Sequence, residues 1–391
     1  MESRNLYQTL KPTFYTASLL GMIPWMRIKK TESNCEKLII CEASRIQWIY
    51  VLLEIVLLLC LLYPKWLYVT TTEMFNLTNI SSLFEFIIPY SLYFGLGTIC
   101  TLTLIRAEHQ VALIDKIIKI DQKLDRNFKL DMNYKKVQRM SVLAICLPVI
   151  VYIIIVILDI YSFKANIYTT LLIVIEIIYL VEFPFYYGCL VKMVCRWVKF
   201  MTLILQRKIR ESQEIPQGID FCQNDIKALR DVYNNVSDVV AGINKEYGIQ
   251  IAQRFILNHI SLPYYSYFFY LMIKEERGVL PIIDTVIWLG IFALPVVYVA
   301  VNCESVNRAS LKMAYVVHKA IRVVPGTRTK IDLNMLSLQI TDDKFEFSAF
   351  GLFMINNSFL TFIKGMTTYM VILIQFDIQE STRNVTVPEV S

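Results

Sequence analysis

IIDTVIWLGIFALPVVYVAVNC, residues 282–303, holds a single charged side chain, Asp284, in a run of 22. As a helix it is about 33 Å long, enough to cross a hydrocarbon core of about 30 Å. Hydrocarbon leaves backbone polar groups no partner but each other, so a run of this kind reads as a transmembrane helix. Six further stretches share its character: 46–68, 83–106, 141–162, 169–193, 249–273 and 347–376. The last is long for one span, and a break is expected near Asn356 and Asn357. Trp48 and Trp66 stand 18 residues apart in the first span. That separation, about 27 Å along a helix, suits rings at two interfaces. The whole composition agrees: of 391 residues, 55% are hydrophobic and 18% charged, with mean hydropathy +0.48. Ordinary water-soluble enzymes are a poor match to that balance. A net charge of +6 suits anionic lipid and lacks the concentrated basic patch of a nucleic-acid binder.

Lys and Arg between the spans set the orientation, because basic residues are retained on the cytoplasmic side. Residues 1–45, 107–139, 194–248 and 305–347 hold 7, 8, 8 and 7 of them; 71–81, 163–168, 274–281 and 378–391 hold 0, 1, 2 and 1. The fold class expected is therefore an all-α membrane protein of seven transmembrane helices, with a cytoplasmic N-terminus and an extracellular C-terminus. Its parts are a cytoplasmic segment 1–45, six spans over 46–303 with long helical inner loops at 107–139 and 194–248, a cytoplasmic helical segment 304–346, a seventh span 347–376 and an outer tail 377–391. The sequons at Asn76, Asn79 and Asn384 fall outside the membrane in this topology and are candidate glycosylation sites. Those at Asn235 and Asn356 fall on or near the inner side and read as accidental. The apolar run from Phe14 to Met26 is followed by Arg27, Lys29 and Lys30, so it makes no convincing cleavable signal, and the first span can act as its own anchor. None of the nine cysteines lies in an outer loop, which excludes an external disulfide in this topology. Cys35 and Cys41 have no His nearby and read as thiols, not as metal ligands.

The inner segments carry helical seams. Cys222, Ile226, Leu229, Tyr233, Val236, Val240, Ile243 and Tyr247 alternate steps of 4 and 3. Leu113, Ile117, Ile120 and Leu124 repeat this spacing, and Val306, Ala309, Met313, Val317 and Ile321 nearly repeat it ahead of Pro325-Gly326. Two readings stay open: packing within one chain, or a cytoplasmic region where subunits meet.

Catalytic chemistry is hard to find. His109, His259 and His318 have no Asp or second His at acyltransferase or metalloprotease spacing, and no glycine-rich phosphate loop occurs, so no enzyme, metal or cofactor is expected. The absence of an internal repeat weakens a transporter reading. Charges inside the spans are costly and tend to face cavities or partners. They are Glu54, Glu85, Asp159, Glu176, Glu182, Arg254, Asp284 and Lys364. In the expected orientation Glu85, Asp159, Glu176 and Asp284 lie in the outer half, with Tyr90, Tyr93, Tyr179 and Trp288 near them. Acceptors beside aromatic faces suit a polar or cationic small molecule entering from outside. Each taken singly also fits an interhelical hydrogen bond.

The end of the seventh span reads Thr368-Tyr369-Met370-Val371-Ile372-Leu373-Ile374-Gln375-Phe376. This resembles the signature of the insect gustatory receptors. Phe350-Gly351-Leu352-Phe353, the stretch from Asn356 to Leu360, and Gly365 resemble the segment that leads into it in that family. The resemblance extends to the length, the seven spans and the long inner loops. It implies a ligand-gated nonselective cation channel of four subunits, with a pore lined by the seventh spans. It also implies a ligand pocket among the outer parts of the early spans and span six, and cytoplasmic helices that hold the tetramer together. The residues are compatible with this: Tyr369, Ile372, Gln375 and Phe376 share one helical face. Ile372 and Phe376 would close a pore by dewetting, Gln375 would replace water around a cation, and Asp377 with Glu380 would place acid rings at the mouth. The bland alternative is a packed helix with an ordinary polar end. Lys364 has no assigned partner, and Met370 stands where many sugar-sensing members carry an acid.

The function expected is a tastant-gated cation channel of a sensory neuron's plasma membrane, with a small-molecule tastant, permeating cations, membrane lipid and related subunits, or copies of itself, as partners. The runner-up is an odorant-receptor relative that needs a co-receptor. A G-protein-coupled receptor would predict an outside N-terminus, usually an external disulfide and an Asp-Arg-Tyr-like end to span three; here Asp159-Ile160-Tyr161 stands on the outer side.

Overall fold

The computed structural model describes residues 6–24, 26–33, 36–43, 49, 52–53, 56, 80–128, 134–163, 167–214, 223–276, 278–324, 327–357, 365, 368, 371–372 and 374–376. The elements are α1 (Leu6–Leu19), β1 (Met26–Ser33), β2 (Glu36–Ala43), α2 (Ile80–Ile105), α3 (Ala107–Phe128), α4 (Tyr134–Phe163), α5 (Ile167–Glu214), α6 (Gln223–Lys274), α7 (Val279–Val323), α8 (Thr327–Asp342), β3 (Ser348–Ala349) and β4 (Phe353–Met354).

The expected spans 83–106, 141–162, 169–193, 249–273 and 282–303 fall on α2, α4, α5, α6 and α7. α5, α6 and α7 each run on as helix well past one end of the apolar run. α5, α6 and α7 have 48, 52 and 45 residues, about 72, 78 and 68 Å at the α-helical rise, twice a bilayer core or more. Their apolar ends and their polar ends are therefore one rod each. This divides the molecule into a turn half, around the connection 275–278 between α6 and α7, and an α8 half, where α3, α8 and the far ends of α5, α6 and α7 meet. The broadest helix contact joins α5 to α7. Gly188 makes part of it possible, since a Cβ there would overlap the Tyr298 ring.

In the α8 half the three seams face one another. Leu113, Ile117, Ile120, Leu124, Ile226, Leu229, Tyr233, Val236, Val240, Ile243, Tyr247, Val306, Ala309, Met313 and Val317 are all buried in one core, and Ile321 packs against it. The alternative left open by spacing is thus decided in favour of intrachain packing. Trp197, fully buried, directs Nε1 toward Asp121 Oδ1 at 3.5 Å. Tyr233 donates to the Asp343 carbonyl at 2.8 Å, and burial raises its hydroxyl pKa above the ordinary value. Ion pairs rim this half: Lys116–Asp238 at 2.9 Å, Lys123–Asp231 at 3.8 Å and Lys208–Asp225 at 3.1 Å.

The opposite pattern marks α4. Val142, Val149, Ile150, Ile153, Ile154, Ile157 and Ile160 are exposed along one face, about 27 Å at helical rise. An unbroken apolar stripe of that height needs a solvent other than water. Among the described residues α7 is the helix that meets length and apolarity requirements for a span in full.

Two hairpins depart from the expected all-helical chain. β1 and β2 pair antiparallel from Met26↔Ala43 to Ser33↔Glu36, and β2 packs on α3. Just before them, Leu10, Phe14, Ala17, Met22 and Ile23 enter the main core, and Thr103 donates to the Met22 carbonyl at 3.1 Å. The second departure corrects the seventh span, which does not begin as a helix at Phe347. Ser348–Ala349 and Phe353–Met354 form a hairpin closed by Leu352 N–H donating to the Ala349 carbonyl at 2.9 Å. Phe350 and Gly351 both take positive φ, 54° and 75°, the geometry of a type I′ turn. Phe347 and Ala349 are buried beneath it. Asn244 accepts from Ser348 N–H at 3.1 Å and donates to the Glu346 carbonyl at 2.8 Å. A Cβ on Gly248 would lie 3.0 Å from Phe350 N, so a glycine on α6 is what lets the hairpin sit this close.

Candidate functional site

The site builds from two proline-bearing helices. α6 carries Pro263 and α7 carries Pro295, each lacking an N–H for the carbonyl four residues before it. Following Pro263, α6 reads Tyr264-Tyr265-Ser266-Tyr267-Phe268-Phe269-Tyr270. Tyr265 stacks on Trp288 at 5.7 Å with 8° between ring planes, and on Phe292 at 4.9 Å. Trp288 and Phe292, one turn apart on α7, lie 6.2 Å from each other. Tyr264 stacks on Phe268 at 6.3 Å. Ile155 of α4 and Val181 of α5 join Trp288, Ile291 and Phe292 in a second core, with Val151 and Phe185 packed at its edge. Four helices therefore enclose an aromatic cluster in the turn half.

Polar groups run along the buried face of α6 below it. Glu246, Gln250, Arg254, Asn258 and Ser261 recur at steps of 4, 4, 4 and 3, and none is more than 6% exposed. Pro295 leaves the Ile291 carbonyl without its helical donor, and Arg254 Nη2 donates to that oxygen at 3.5 Å. Asn258 Nδ2 donates to the next carbonyl, Phe292. The guanidinium carbon also lies 5.7 Å above the Phe292 ring, a cation–π contact. The polar stripe thus grips α7 beside Pro295 and holds a charge against the aromatic cluster.

Of the residues singled out from sequence, Asp284 and Trp288 come together here: both are buried, one turn apart on α7. Glu85 and Tyr90 fall on α2, Asp159 on α4, and Glu176 and Tyr179 on α5; their side chains lie outside the described residues. Tyr265, Phe292 and Asn258 were not singled out. The aromatic density of 264–270 was the available signal for the first, but pairing with Trp288 depends on how α6 and α7 are set against each other. The charge found against the rings is a cation, Arg254, where the sequence suggested acceptors alone.

In the last segment, Thr368, Ile372, Gln375 and Phe376 are helical and exposed, Ile372 and Phe376 by 40% and 56%. Tyr369, Asp377 and Lys364 lie outside the described residues, as do Asn76, Asn79 and Asn384.

The sequence profile of the family described as 7tm Chemosensory receptor matches residues 10–380. A protein of Drosophila melanogaster provisionally named gustatory receptor 2a is 24% identical over 178 residues, 40% of this chain and 42% of its own length. Another, provisionally named gustatory receptor 98a, is 31% identical over 133 residues, 33% of each chain. The matched stretch thus spans less than half the length of these relatives. The fold is similar to that of the insect olfactory receptor OR5 from Machilis hrabei, with TM-score 0.62 at 12% identity over 95% of this chain and 98% of the other. The same receptor in complex with eugenol gives 0.64 over the same shares.

Proposed function

Because the chain belongs to the 7tm chemosensory receptor family, we propose that it is a gustatory receptor: a tastant-gated, nonselective cation channel of the plasma membrane, built from four such chains or from this chain with related ones. The observation that carries the reading is the helix ending in the gustatory signature, on which Thr368, Ile372, Gln375 and Phe376 are left exposed by their own chain. In a tetramer that face, continued by Tyr369 and Asp377, surrounds the pore. Ile372 and Phe376 close it, and the Gln375 amide stands in for water as a cation passes. The N-terminus and the α8 half lie in the cytoplasm, a placement that the distribution of Lys and Arg supports, and Asn76, Asn79 and Asn384 face outward as glycosylation sites.

The small molecule enters the turn half and contacts Asp284, Trp288 and the aromatic cluster, with Glu85, Tyr90, Asp159, Glu176 and Tyr179 drawn from the neighbouring helices. Support comes from the buried stack of Tyr265, Trp288 and Phe292 enclosed by four helices and from the eugenol complex of the fold relative. The test is whole-cell current in cells expressing this chain alone, with G-protein signalling blocked, while sugars, bitter alkaloids, amines and organic acids are applied. A rapid cation current whose rectification or permeability changes in Gln375→Ala, at equal surface expression, is the expected result. Unchanged permeation would remove Gln375 from the pore. One second reading is an odorant-receptor relative that needs a co-receptor; the fold it would have is that of the olfactory receptor OR5. Silence of this chain alone at confirmed surface expression, relieved by a co-expressed relative, would establish it.

A further inference from the structure

Arg254 is 6% exposed, yet its Nε and Nη1 have no hydrogen-bond partner among the described residues. The hydrogen bond it makes there, to the Ile291 carbonyl, is long at 3.5 Å. A turn further along α6, the Asn258 amide oxygen is likewise unmatched, and so is the Ser261 hydroxyl, each on a residue no more than 1% exposed. A guanidinium carries five donors in a rigid fork and keeps its charge at any pH a protein tolerates. Burying one is costly unless both the charge and the donors are answered. Here a carbonyl and a ring face answer part of the demand, beside the aromatic cluster, since the guanidinium carbon lies over Phe292, which stacks on Tyr265.

We propose that Arg254 receives the acidic group of a small organic acid whose apolar part lies against Tyr265, Trp288 and Phe292. The proposal rests on reading this cluster as the ligand site and names the ligand's chemistry. A neutral acceptor such as an alcohol would satisfy a donor and leave the charge unanswered; a carboxylate answers both and fits the fork with two parallel hydrogen bonds. Asn258 and Ser261 serve the same group or a hydroxyl beside it. The rings hold the apolar part by stacking and exclusion of water.

The test measures binding, not current, on the purified full-length protein in lipid nanodiscs, by titration calorimetry and ligand-induced shift of thermal unfolding. The probes are benzoate, phenylacetate and hexanoate, each against its uncharged alcohol. At least one acid is expected to bind more tightly than its alcohol by roughly tenfold or more. Arg254→Gln is expected to erase that preference while the alcohol's affinity changes by less than about twofold. Asn258→Asp places an internal carboxylate one helical turn from the guanidinium and is expected to abolish acid binding even if Arg254→Gln fails to fold. If every acid binds no better than its alcohol, or the preference survives either substitution, the proposal is overturned. Acid binding without any current, from this chain alone or with a co-expressed relative, would leave this site standing and sink the channel reading instead.

Discussion

The two halves of the molecule are built from the same three long helices and solve opposite problems. In the α8 half, α5, α6 and α7 bury apolar seams against α3 and α8 and turn charged side chains outward, where Lys116, Lys123 and Lys208 pair with Asp238, Asp231 and Asp225. Around the turn half the apolar residues of α4 face outward and polar residues of α6 face inward, where Arg254 and Asn258 hold carbonyls of α7. The inversion follows from the solvent: water takes the charges in one half, and hydrocarbon returns them to the interior in the other. A single helix can do both because its backbone hydrogen bonds are satisfied within itself at every level.

Substitutions that treat the halves alike should therefore behave unlike. The largest effect is expected from Trp197→Ala, which empties a fully buried indole in the α8 half and removes its N–H from Asp121. It should cost about 3–5 kcal/mol, read as a loss of thermal stability in detergent. A loss below about 1 kcal/mol would mean that this half is not a packed core. Next is Ile153→Lys on the exposed face of α4, which should cost about 2.5–3.5 kcal/mol if that face meets lipid, read as reduced membrane insertion. Leu338→Lys, at an equally exposed apolar position of α8, should insert normally; equal sensitivity at both sites would erase the distinction between the halves.

Gly248→Ala probes the seam between them. Its methyl would press on the Phe350 backbone at 3.0–3.2 Å, at an expected cost of about 1–3 kcal/mol. Its stability loss should be absent when the hairpin tip is replaced by a longer flexible loop. Smallest of all is the exposed pair Lys116–Asp238, both side chains at least half exposed. A double-mutant cycle should return about 0.2–1 kcal/mol, falling with added salt.

Much of the architecture was legible beforehand. Helix placement over 83–106, 141–162, 169–193, 249–273 and 282–303 follows from apolar length, and the seam at Ile226 through Tyr247 from its period. Both are local properties of a chain with 3.6 residues per turn. The hairpin at 26–43 was missed because Leu38-Ile39-Ile40 is too short a run to separate strand from helix by periodicity. The hairpin at 348–354 was hidden inside a longer apolar run, where the turn depends on Phe350 accepting a conformation that bulky residues seldom take. Within the candidate site, Asp284 and Trp288 stood out as a charge and a ring in a span. Tyr265 and Asn258 did not, because each gains its meaning from α7 across the contact.

What the sequence determined by itself was which segments are helices, which of their surfaces are apolar and how the basic residues are distributed, since these are sums over neighbouring residues. What only the tertiary structure decided was which surfaces meet. The three seams close on one another within a single chain, the stripe of α6 finds the carbonyl that Pro295 sets free and the one beside it, and a buried arginine comes to rest against a stack of rings. Those outcomes depend on packing between residues 37 positions apart in sequence, as Arg254 and Ile291 are, or more than a hundred, as Gly188 and Tyr298 are. No local pattern encodes them, because the rotation of one helix against another is settled by the shape and hydrogen-bonding demand of every side chain between them.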